Sequence, residues 1–121
     1  AVSRGLGDVY KRQIINNDLI NKIGYFDERY FAYQEDSDYC LTAINNGWKI
    51  FYNPDAIVVH HGGRGGAHYL PFKANFEWHR SYFRYYNKNF AKNYSTFFNL
   101  FYYSMMLGKL IFAQTRLFIK S

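Results

Sequence analysis

The apolar period of this chain changes at a single residue, Gly47. Before it, counting from Asp36, the side chains Tyr39, Cys40, Ala43 and Ile44 fall at i+3, i+4, i+7 and i+8, which is one face of a helix. Glycine is a natural stop for that helix. After it, Trp48, Ile50 and Tyr52 alternate with Lys49, Phe51 and Asn53, the period of a half-exposed strand. Pro54-Asp55 offers a turn, and Ala56 to Val59 reads as a short buried strand ending on His60. Helix, strand, turn and strand in that order predict an α/β layer rather than a helical bundle.

A chain of 121 residues, 49% hydrophobic, has the means to bury one core. Residues 1–13, AVSRGLGDVYKRQ, carry no clean period and are set aside as a non-native or disordered tail. Asp18 offers an N-cap, and Leu19, Ile20 and Ile23 predict a helix of one to two turns that Gly24 ends in the left-handed conformation. Tyr25 to Tyr33 is dense in aromatics without either period and reads as a packed loop. No apolar run follows an early basic segment, so no signal peptide is expected. The one cysteine, Cys40, has no internal disulfide partner, which suits a reducing compartment.

Charge divides the chain. Residues 14–61 carry three bases, Lys22, Arg29 and Lys49, against seven acids, whereas residues 62–121 carry nine bases and one acid, Glu77. Such a split predicts different partners for the two parts. Gly62 to Gly66 is a loop whose one long side chain is Arg64. From Lys73 the pattern becomes helical: Phe76, Phe83 and Phe90 recur every seven residues, with Arg80, Arg84, Lys88 and Lys92 at four-residue steps beside them. Tyr94 to Gly108 is uncharged and rich in aromatics and methionine, yet shorter than the roughly 20 residues needed to cross a bilayer. Two readings stay open for it: an interfacial amphipathic helix with basic side chains towards anionic headgroups, or a face that packs on more protein.

Glu35, Asp36 and Asp38 crowd three carboxylates into four positions at a helix start. There the macrodipole and free amides favour the ionised form, while a buried face favours the protonated one. Asp36 is expected to feel both, which poises a base for a hydroxyl proton. Acids also enrich first turns simply as caps. His60 and His61 end a strand, where an imidazole can reach a transition metal. Cys40, His60, His61 and His68 lack the short regular spacing of a structural zinc site. Asp36-Ser37-Asp38 has the spelling of a metal–nucleotide Asp-x-Asp pair but sits in a helix start instead of a loop after a strand.

Together, GYFDERYF (24–31), EDSDYCL (35–41), GWKI (47–50) and Pro54-Asp55-Ala56 leading to His60-His61-Gly62-Gly63 resemble the C-terminal half of bacterial family-two glycosyltransferases, in the rhamnosyltransferase-like branch of cell-surface polysaccharide assembly. The resemblance runs in order over about residues 14–90. It implies an α/β fold, the C-terminal half of the GT-A nucleotide-diphospho-sugar transferase fold over residues 14–72, followed by amphipathic α-helices over 73–121. It also implies inversion at the anomeric carbon, a nucleotide-sugar donor, a glycan or lipid-linked acceptor, and a divalent metal, magnesium or manganese. The family's Glu-Asp motif falls on Glu35-Asp36, with Asp36 as general base, and its metal histidine on His60. Arg64 falls on its flexible loop, and Asp38, His61 and Trp48 are assigned to substrate. The family's nucleotide-binding half, which supplies most of the metal site, has no counterpart before Ile14, so the chain is expected to be an inactive fragment by itself. It is placed in the cytoplasm on the inner face of the cell membrane.

A different class of function fits the basic half alone: a non-catalytic module binding an anionic membrane or nucleic acid, since bases interleaved with aromatics also line single-strand grooves. The helical period of that half argues against nucleic acid. A third reading is an inert packing domain, with the acids as caps and the histidines as structural residues.

Overall fold

The computed structural model describes residues 13–57, 59 and 70–120. Four α-helices lie among them: α1 (Asn17–Ile23), α2 (Glu35–Asn45), α3 (Pro71–Asn89) and α4 (Thr96–Lys120), with a 3-10 turn at Ala91–Asn93 between the last two. The chain divides into two compact units, one drawn from residues up to Glu28 and from Glu35 to Gly62, the other from Arg29–Gln34 and from Gly63 onward.

In the first unit, α1 starts on Asn16, whose side-chain oxygen accepts from the Asp18 amide at 2.8 Å. Asn16 is therefore the cap expected of Asp18, which instead lies in the first turn with its charge towards the helix's positive end. Gly24 ends α1 with φ +80 and ψ −169, a region open essentially to glycine alone, so the turn differs from the left-handed one expected. The stop at Gly47 is a Schellman cap: the Gly47 amide donates to the Ile44 carbonyl at 3.0 Å and the Trp48 amide to Ala43 at 3.1 Å. Gly47 supplies the positive φ, +83. Leu19, Tyr39 and Ala43 form a small core on which Ile15, Ile23 and Trp48 pack. The Tyr39 hydroxyl donates to the Gly24 carbonyl at 3.0 Å, and its ring lies 4.7 Å from that of Phe26. Lys22 closes the pair by donating to the Asn46 carbonyl at the α2 terminus, where a cation also suits the helix dipole. The inward face of α2 is centred on Asp38, Tyr39 and Ala43, and Ile44, expected inward, is 52% exposed.

The expected α/β layer, and with it the partial GT-A fold, is overturned. Among the described residues there is no strand. Residues 48–53 form no ladder, while the turn at Pro54-Asp55 is present, with the Asn53 side chain accepting from the Asp55 amide at 3.0 Å. Strand alternation is realised only when a neighbour supplies hydrogen bonds and covers one face. Here Phe51 is 84% and Tyr52, on the opposite face, 73% exposed, so neither face is covered. Trp48 alone of the alternating set is drawn in, by the helix cap rather than by a sheet.

The second unit is an antiparallel helical hairpin. Pro71 sits at the start of α3, where its missing N–H costs nothing. Rings zip α3 to α4: Tyr86 stacks on Tyr102 with centroids 3.8 Å apart, and Phe83 lies 4.8 Å from Tyr103. Polar tethers fix the register. Tyr86 donates to Asn99 at 2.6 Å, Tyr103 to Asn87 at 2.9 Å, and Gln114 to the Phe72 carbonyl at 3.1 Å. Residues 29–34 lie on α3 through Ser81, fully buried, whose hydroxyl donates to the Ala32 carbonyl at 2.7 Å. Lys73 sits over the Phe31 ring and Arg84 over Tyr30. The inner face of α4 runs through Asn99, Tyr102, Met106, Leu110, Ala113 and Leu117, while Phe97, Phe101, Phe112 and Ile119 remain exposed on its other side. The seven-residue phenylalanine row does not form the core of α3: Phe76 and Phe83 are exposed, and Glu77, His79, Ser81 and Tyr86 are the buried residues.

Candidate functional site

The three carboxylates at the head of α2 occupy three different environments. Asp36 is half-buried, and its Oδ1 accepts from the Ser37 amide at 2.7 Å and lies 3.5 Å from the Ser37 hydroxyl. That leaves Oδ2 without a partner among the described residues. Asp38, two positions on, is buried and engaged. Its carbonyl accepts from the Thr42 hydroxyl one turn later, at 2.8 Å. One oxygen of Glu35, Oε2, is enclosed and has no hydrogen-bond partner among the described residues. A buried carboxylate oxygen left unpaired in a folded protein is unusual and costly, and such groups concentrate where ligands complete them.

The backbone entering this helix is strained. Tyr33 and Gln34 have φ of +68 and +65. Neither is glycine, and each such residue costs roughly 1–3 kcal/mol, a cost that persists where surroundings enforce it and that clusters at functional sites. No apolar period marks those two positions, so strand and helix patterns in the sequence offered no signal for them.

Asp36 also reaches along its own helix. Cys40, one turn on, has its thiol pushed up by burial and then by the negative charge of Asp36. This holds the sulfur protonated, so Cys40 is a poor nucleophile at neutral pH. Burial likewise raises the Tyr39 phenol, with a smaller contribution from Tyr25.

Trp48, assigned to substrate from the sequence, packs against Leu19, Tyr39 and Ala43 and completes the Schellman cap. Much of its ring is therefore committed to holding α2 in place. His60, His61 and Arg64 lie outside the described residues. Among the described residues no three His, Cys, Asp or Glu side chains gather to hold a metal ion. The carboxylates of α2 thus do not form a metal centre with one another.

A search with protein-family models matches none to this chain, and no solved structure matches it. Among curated proteins it is similar to an N-acetylglucosaminyl-diphospho-decaprenol L-rhamnosyltransferase, found in two strains of Mycobacterium tuberculosis. Identity is 40% over 48 residues, which is 40% of this chain and 16% of each relative. The matched stretch therefore spans about a sixth of the curated relatives' length. What this supports is a relationship to glycosyltransferases, at the level of part of a chain.

Proposed function

We propose that this chain is part of a transferase that moves a sugar from a nucleotide-sugar donor to a glycan or lipid-linked acceptor, with Asp36 as the base that takes the acceptor hydroxyl's proton. The observation that carries this reading is the 48-residue similarity to a rhamnosyltransferase, supported by the differentiated carboxylates at the head of α2. Asp36 has the properties a base needs: one oxygen held by a backbone amide that fixes its direction, and the other without a partner among the described residues. Glu35 is the neighbour that steadies the start of α2 beside Asp36, since its Oε2 is enclosed and out of a substrate's reach. Asp38 is too enclosed to reach a substrate directly and acts by holding the helix. His60 is proposed as the chain's contribution to a divalent metal whose other ligands lie elsewhere, and His61 and Arg64 as substrate contacts.

Among the described residues no helix is long and apolar enough to cross a membrane. The exposed aromatic side of α4, in a segment with no acid after Glu77, is proposed to rest on an anionic membrane surface where a lipid-linked acceptor would lie.

The test is transfer of a radiolabelled sugar by the full-length polypeptide that carries this sequence, alongside its Asp36→Asn variant. Loss of a positioned base costs about 10²- to 10⁴-fold in rate. The expected result is a fall of that size with donor binding unchanged. Transfer that survives the substitution removes Asp36 from the role, and the absence of any transfer by the unsubstituted protein removes the reading itself.

A further inference from the structure

Beyond the end of α2 an asparagine is followed by a glycine, Asn46-Gly47, and both are exposed. Glycine has no Cβ to stand in the way, so its backbone nitrogen can approach the carboxamide of the asparagine before it. Among the described residues nothing lies within 4 Å of where a Gly47 Cβ would stand, so the approach is open. The hydrogen bonds of the pair bear on that approach. Asn46 Nδ2 donates to the Thr42 carbonyl at 2.9 Å, which holds the carboxamide against the helix end. The Gly47 amide donates to the Ile44 carbonyl at 3.0 Å, a terminal bond of the kind that frays. The Lys22 ammonium donates to the Asn46 backbone carbonyl at 3.0 Å. This last contact matters most, because the carbonyl it touches is conjugated with the Gly47 nitrogen.

We propose that Asn46-Gly47 is a self-modifying site, at which the Gly47 nitrogen displaces ammonia from Asn46 with Lys22 stabilising the charge that develops. Opening of the Gly47–Ile44 bond frees the amide, and hydroxide from solvent takes its proton. The negative charge left behind spreads onto the Asn46 carbonyl oxygen, where the Lys22 ammonium already lies. The nitrogen then bonds to Asn46 Cγ, and the Cγ–Nδ2 bond breaks as Nδ2 takes a proton from water and leaves as ammonia. Water opens the resulting succinimide at either carbonyl, leaving aspartate or isoaspartate at position 46. One water is consumed and one ammonia released, with no oxidant or reductant. Isoaspartate adds a carbon to the main chain before Gly47, so the Gly47 and Trp48 amides can no longer both reach Ile44 and Ala43. The modification thus removes the cap of α2 and loosens Trp48 from the small core on which it packs.

The proposal is independent of sugar transfer. A lysine at a helix C-terminus also suits the dipole, whatever becomes of Asn46. Were that its whole role, Lys22 would hold the cap shut and its removal would speed the modification. Charge stabilisation predicts the opposite sign. The 121-residue chain and its Lys22→Gln and Lys22→Arg variants are incubated in mildly alkaline buffer, with circular dichroism to check that each stays helical. Conversion at Asn46 is followed by peptide mass spectrometry and by labelling with an isoaspartyl methyltransferase. The parent is expected to convert at Asn46, Lys22→Gln about 3-fold more slowly, the size of an exposed charge contact, and Lys22→Arg at the parent's rate. Concentrated sodium chloride is expected to slow the parent as the ammonium is screened, a readout that needs no variant to fold. Conversion that quickens or holds steady in Lys22→Gln, a parent rate indifferent to salt, or a parent that stays unmodified at Asn46 would each overturn the proposal.

Discussion

The two units are both helical, yet they are held by different means. The α1–α2 pair has a core of three buried residues and depends on its ends: an asparagine cap, two glycines at positive φ, a tyrosine tied to a carbonyl and a lysine on the last turn. The α3–α4 hairpin depends on its middle, where tyrosine rings stack and amide side chains set the register. The first unit therefore places a few residues accurately at a helix start, where the carboxylates are. The second presents surface, a groove at one end and a bare aromatic side on α4. Precision at the end of a short helix suits chemistry, and extended apolar and basic surface suits docking.

The largest effect on stability is expected in the hairpin. Tyr86 is buried against Tyr102 and bonded to Asn99, so Tyr86→Ala is expected to cost about 3–5 kcal/mol, the range for removing a buried aromatic. Urea unfolding followed by circular dichroism measures it, and a cost below about 1 kcal/mol would mean the stacked rings do not hold α3 to α4. Gly47→Ala attacks the other unit through its end. The added methyl meets no neighbour, so the cost is backbone strain alone, about 1–2 kcal/mol. If that change were harmless, the Schellman cap would not be what stops α2.

Alkaline titration touches both units together. Burial, as the leading cause, raises the Tyr39, Cys40, Tyr86 and Tyr102 groups above their ordinary values, with further contributions from Asp36 for Cys40 and from neighbouring tyrosines for the phenols. The folded state then keeps protons that the unfolded chain releases. Their contribution is complete below the ordinary values, about 8.5 for thiol and 10 for phenol, and is lost as pH rises through the raised ones. Thermal midpoints are expected to hold steady up to about pH 8 and fall beyond pH 9 to 10; a midpoint that rises over that window would contradict the burial of these rings. The smallest effect is a gain. Gly108 lies inside α4 with open space where a Cβ would stand, so Gly108→Ala is expected to stabilise by about 0.5–1 kcal/mol. A loss there would show that some neighbour needs that bare backbone.

Local signals in the sequence were legible where one residue type has one job. Gly47 stops α2, Pro54-Asp55 turns, and the charged, aromatic stretch after Lys73 is helical, as its four-residue steps predict. The sheet was not legible, because the alternation around Ile50 and Tyr52 describes how those residues would sit against a neighbour and says nothing of whether one is there. The hairpin core was missed for a different reason. Aromatics occur on every face of α3 and α4, so period could not choose among them, and the inward set includes Ser81 and His79, which no hydrophobic pattern selects. At the candidate site, the position of Glu35-Asp36 at a helix start was readable, while the separate environments of Asp36 and Asp38 follow from packing around Tyr39 and Ala43.

That separation is the most direct point of attack on the account. Sugar transfer and thermal stability are to be measured together on the full-length polypeptide with Asp36→Asn and, separately, with Asp38→Asn. The account predicts that the Asp36 change removes transfer by about 10²-fold or more and leaves the melting midpoint in place, whereas the Asp38 change lowers the midpoint. Transfer retained in the Asp36 variant, with stability lost there instead, would contradict it.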